Sequence, residues 1–136
     1  MRRVLPLSAL ATVLGLASSP MTAQTPMTGT EFEAYATGRT LTFATGGHIY
    51  GAEQYLSGRR VLWAFTGDQC QEGVWYEQAG QICFVYDYDP TPQCWTFWSG
   101  EGGLSARFEG DLPGTELSEV AQTSDPLLCA GPEVGV

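Results

Sequence analysis

Hydrophobic residues recur every three or four positions up to residue 38, and every second position after it. Residues 40–45, Thr-Leu-Thr-Phe-Ala-Thr, alternate polar and apolar, and residues 60–66 put Val61, Trp63 and Phe65 on one face. That is the pattern of half-buried strands. The same reading predicts further short strands at 48–50, 73–77, 82–87, 93–98, 104–108 and 117–121. Gly-, Pro- and Asp-containing turn signals fall near 67, 80, 90, 101 and 113, with a loop over 51–58 and another containing Pro90 and Pro92. A turn about every ten residues, with β-branched and aromatic residues between, marks an antiparallel meander. Six to eight such strands must curl into a small barrel or a two-layer sandwich, because free edges invite aggregation.

One helix is predicted ahead of the sheet, over 29–37. Thr28 and Glu31 have the spacing of a capping box, and Met27 with Phe32 that of a hydrophobic staple. Phe32, Tyr35 and Ala36 share a face, and Gly38 is suited to the left-handed stop after the last turn. A helix this short does not hold in water by itself, so it must pack on the sheet. The fold class is therefore mainly β, with one short N-terminal helix.

The first 23 residues read differently. Met1-Arg2-Arg3 is a short basic start, an apolar run follows to Leu16, and small residues lead to Ala23. This is the layout of a secretory signal peptide, so the expected division is a leader at 1–23 and one disulfide-bonded β domain at 24–136. The expected location is periplasmic or secreted. The apolar run is shorter than the ~20 residues a membrane span needs, so no membrane association is expected after cleavage.

Four cysteines in a secreted chain of this length read as two disulfides. Three pairings are possible. A hairpin joining 82–87 to 93–98 sets Cys83 opposite Cys94, with the turn centred on Tyr88-Asp89, and so favours Cys83–Cys94 together with Cys70–Cys129. The second bond would tie down the aperiodic tail that begins at Ser124. The order of features, a short helix ending Gly38-Arg39-Thr40, then Gly73-Val-Trp75, Ile82-Cys-Phe84 and Cys94-Trp95, resembles a broad group of small secreted bacterial proteins of unknown function. The resemblance covers about residues 28–110. It implies the same compartment, supports Cys83–Cys94 as a shared pair, and carries no catalytic residue.

Formal net charge is −9, and removing Arg2 and Arg3 with the leader would leave four arginines against fifteen acids. Such a surface repels phosphate backbones and anionic headgroups, so nucleic acid is not an expected partner and a basic protein is a better one. There is no lysine, which excludes Schiff-base and phosphate-loop chemistry. His48 is the only histidine, no serine sits in a nucleophile-elbow motif, and one histidine with four oxidised cysteines cannot build a zinc site. Asp87-Tyr88-Asp89 sets two carboxylates in one turn, but the ligand spacing of a calcium loop is missing. No metal, cofactor or catalytic activity is expected.

The aromatics are the unusual feature. Trp63, Phe65, Phe84, Tyr86, Trp95 and Phe97 occupy alternating positions suited to a core. Trp98 falls on the opposite face, beside Cys94, and with Asp87, Tyr88 and Asp89 forms the set of candidate binding residues. Two functions follow as expectations. One is a non-catalytic interaction module for a cationic partner. The other is a barrel that holds a small apolar ligand among its aromatic side chains.

Overall fold

The structure, a computed structural model, describes residues 24–66 and 69–129. The expected leader, the Gly67-Asp68 turn and the end of the tail lie outside the described residues. Among those described, one helix, α1 (Gly29–Ala36), precedes eight strands: β1 (Thr40–Thr45), β2 (His48–Leu56), β3 (Arg60–Phe65), β4 (Gln71–Gln78), β5 (Gln81–Tyr86), β6 (Asp89–Gly100), β7 (Gly103–Phe108) and β8 (Leu117–Thr123). Each strand pairs antiparallel with the next, and β8 pairs back onto β1. The sheet is thus a closed barrel and not a sandwich, and closure leaves no free edge.

Side chains alternate inward and outward along each strand. The inward set includes Leu41, Phe43, Val61, Trp63, Trp75, Ile82, Phe84, Phe97 and Leu104, all buried. The helix closes one end. Its capping box is formed, with Thr28 accepting from the Glu31 N–H and the Glu31 carboxylate accepting from the Thr28 N–H. Phe32 is fully buried and meets the rings of Tyr55, Trp75 and Phe97 at centroid distances of 5.4, 5.1 and 4.6 Å. Polar contacts fix the helix to several strands. Gly29 donates to Glu77 of β4, Tyr35 donates to Glu119 of β8 at 2.8 Å, and Arg59, after β2, pairs with Glu33 at 3.0 Å while lying over the Trp75 ring. The helix fills its end as a plug that the short helical period required but could not locate.

The sequence-based expectations need four corrections. Residues 51–56 are not a loop but the longer part of β2. Gly51, Glu53 and Tyr55 point inward and are buried, so a glycine and a glutamate at core positions hid the alternation. Pro90 and Pro92 lie within β6 and not in a loop before it. Their missing N–H groups are accommodated where the β5–β6 register slips, between Phe84–Gln93 and Tyr86–Asp89. That slip moves the turn by one residue, to Asp87-Tyr88. Phe65, expected in the core, is 41 % exposed because it ends β3 at the barrel rim.

Both expected disulfides are present, Cys83–Cys94 and Cys70–Cys129. Cys83 and Cys94 are cross-strand partners on the outer face. The tail leaves β8, accepts the Thr40 hydroxyl at the Asp125 carbonyl, donates from Leu127 to Gln54 of β2, and reaches Cys70 just before β4. It is a strap over the outside of the barrel, as the cysteine count suggested. Among the described residues no helix is long and apolar enough to cross a membrane.

Candidate functional site

In an up-and-down barrel all alternate connections lie at one end. The helix occupies the end with the β2–β3, β4–β5 and β6–β7 connections. The opposite end carries the β1–β2, β3–β4, β5–β6 and β7–β8 connections and opens into a chamber. The chamber is open to solvent at its mouth and has a cavity volume of about 50 Å³.

Aromatic rings make its walls. Trp63 and Phe65 from β3 and Tyr50 from β2 form a trio with centroids 5.4–5.6 Å apart, Phe65 standing edge-on to the other two rings and Tyr50 tilted against Trp63. Tyr86 stacks against Phe84 on one side and Tyr88 on the other. Trp95 and Phe97 of β6 complete the wall. Two inward glycines make room for these rings. A side-chain carbon on Gly51 would stand 2.5 Å from the Trp63 ring, and one on Gly73 would stand 2.8 Å from Tyr86. The sequence thus exchanges side chains at 51 and 73 for large rings on the neighbouring strands.

One acid sits among the rings. Glu53 is only 4 % exposed. Its Oε1 accepts from the Tyr86 hydroxyl at 2.8 Å, and its Oε2 from the Tyr55 hydroxyl at 3.2 Å. Its strand neighbours are Leu41 and Trp63, and among the described residues no arginine or histidine lines the chamber. Burial, only partly offset by the two tyrosine hydrogen bonds, raises its pKa from 4.5 to about 8. Burial and the adjacent carboxyl push Tyr55 and Tyr86 upward as well, so both phenols stay protonated and act as donors. The second buried acid, Glu119, has a structural role: it accepts from Tyr35, Gln122 and the Leu104 N–H, tying α1 to the barrel wall.

The residues singled out from sequence are divided by the barrel wall. Tyr88 is at the mouth, lining the chamber and stacked on Tyr86. Asp87 and Asp89 flank it in the β5–β6 turn, where Asp89 accepts the Thr91 N–H at 2.9 Å. Trp98 lies on the outer face under the Arg107 guanidinium, 5.2 Å from its centroid, and is no part of the chamber. No group of three or more metal-binding side chains occurs among the described residues. Glu53, Tyr55 and Tyr50 were not singled out beforehand, since they sit in or beside the stretch expected to be a loop. The signal that could have found Glu53 and Tyr55 is the alternation of Gly51, Glu53 and Tyr55, opposite Phe65, Trp63 and Val61; Tyr50 falls where the β1–β2 register shifts, which one strand's pattern does not display.

No family model, curated protein or solved structure matches this chain. The resemblance to small secreted bacterial proteins therefore stands on its sequence motifs alone.

Proposed function

We propose that this protein is an exported, non-catalytic binding protein that holds a small ligand inside its barrel. The observation that carries this reading is the chamber itself. Small-molecule sites are concave, mostly apolar and aromatic, with a few convergent polar groups, and here a buried carboxyl with two phenols supplies the polar part. A barrel of eight strands has room for packed side chains or one small ligand. The helix plugs the far end, and at the open end the rings seated over Gly51 and Gly73 stand around the chamber as its walls. Export is supported by the leader pattern and by two disulfides, which persist in oxidising compartments. The expectation of a basic protein partner draws on size, charge and compartment and on no feature of a particular site, so the chamber is the preferred reading.

Amide NMR spectra recorded while small apolar and polar probes are added test it. Saturable shifts confined to Phe43, Tyr50, Trp63, Tyr86 and Trp95 are expected for at least one probe. Uniformly absent shifts across neutral, cationic and anionic probes would overturn the reading.

A further inference from the structure

We infer that the ligand is a small organic ammonium ion carrying N–H donors and a short apolar body, with Glu53 as its counter-ion inside the chamber. The inference rests on the binding-barrel reading and names its ligand class.

The hydrogen bonding at Glu53 suits a carboxylate. Two phenols donate to it, one on each oxygen, and both are held in their protonated form. A neutral carboxyl has one proton of its own and is a poorer receiver for two donors. Each oxygen keeps one further lone-pair site, which is what a primary or secondary ammonium group would bond to. Without a ligand the charge would be uncompensated, since among the described residues the chamber lining has no cationic side chain and a buried unpaired charge is costly, so the carboxyl keeps its proton. A ligand that brings the positive charge removes that deficit.

The walls favour the same charge. Aromatic faces attract cations, the more so away from water. The described loops at the open end carry Asp87, Asp89, Glu109, Asp111 and Glu116, whereas the arginine closest to that end, Arg107, is paired with Glu116 at 3.5 Å. The field of Asp111 reaches Tyr50 at the mouth. An anionic ligand such as a fatty acid would meet these acids at the entrance and Glu53 at the base; among the described residues the basic groups toward that end are Arg107, engaged by Glu116, and the exposed His48 that opens β2, and neither lines the chamber. The limited space restricts the body to a few carbon atoms.

Isothermal titration of the full mature chain with butylammonium, butanol and butyrate tests the inference, because the three have similar size and differ in charge. Butylammonium should bind about tenfold or more tightly than butanol, and butyrate should not bind. Glu53→Gln should erase the preference while retaining butanol. The groups facing Glu53 are Tyr55 on its own strand and Tyr86 from β5, with Glu119 of β8 acting on Tyr55. Ion pairing should therefore draw the proton from Glu53 itself, and butylammonium binding should release a proton to buffer between the lowered midpoint of the complex and about pH 8. Equal binding of butanol and butylammonium to the unaltered protein would overturn the ammonium assignment and leave the binding barrel standing. Failure of all three probes would overturn both. The comparison among probes needs no variant, so it holds even where Glu53→Gln fails to fold.

Discussion

The Tyr86 hydroxyl donates to Glu53 Oε1 at 2.8 Å across the barrel interior, joining strands β5 and β2 that share no backbone pairing. The contact makes the least hydrophobic residue of the interior its organising point, and it dictates how stability responds to pH. In the fold Glu53 holds its proton up to about pH 8, whereas the unfolded chain releases it near 4.5. Its contribution to stability is therefore complete below about pH 4.5, erodes as pH rises through that window, and is gone above about pH 8. The loss is roughly 3–5 kcal/mol. Glu53→Gln should match the wild type near pH 4.5 and exceed it by a similar amount near pH 8, as read by urea unfolding at a series of pH values.

Phe32 is the centre of the plug. Its replacement by alanine removes the ring that Tyr55, Trp75, Phe84 and Phe97 surround. A cost of roughly 3–5 kcal/mol is expected, with detachment of α1 visible as lost protection of its amides from hydrogen exchange.

Gly51→Val tests whether the glycine exists to seat Trp63. The new side chain would overlap the indole and the Ala64 carbonyl. The variant should lose roughly 1–3 kcal/mol, and tryptophan emission should shift to the red as the ring is driven out.

The β4–β5 turn offers a stabilising substitution. Ala79 has φ of +51° and is followed by Gly80 at +74°, the geometry of a two-residue hairpin turn that favours Asn-Gly. Ala79→Asn should raise stability by about 0.5–1 kcal/mol, measured as an increase in the urea midpoint without a change in slope.

The two disulfides should differ in weight. Cys70–Cys129 spans 59 residues and Cys83–Cys94 spans 11. In the chain-entropy account the first contributes roughly 4 kcal/mol and the second roughly 3. Serine pairs at each site, compared by thermal unfolding without reductant, should rank in that order. Loss of the tail strap should leave the chamber residues' NMR shifts unchanged.

Much of the scaffold was legible from the chain because it rests on local signals. The capping box at Thr28 and Glu31, the period-two alternation, the Ala79-Gly80 turn and the opposition of Cys83 and Cys94 each act over a few residues. The chamber was less legible. Glu53 at an inward position contradicts the polar-out rule, and it is tolerated only because Tyr86, 33 residues away, reaches it. Gly51 reads as a breaker until Trp63 is seen to occupy its space. The prolines of β6 look like loop residues for a related reason: a bulge is a relation between two strands, and one strand's sequence does not display it. Whether the sheet closed depended on β8 finding β1, a contact no local pattern encodes.

The most direct test of the account is the titration of the Glu53 side-chain carboxyl carbon, followed by NMR in the folded protein with and without saturating butylammonium. The free protein should show a midpoint at about pH 8, and the ligand should move it downward by a unit or more, roughly the effect of a directly paired charge. A midpoint near 4.5 in the free protein would show that Glu53 is hydrated and that no such chamber exists. A high midpoint unmoved by butylammonium would show that the chamber does not pair Glu53 with a cation.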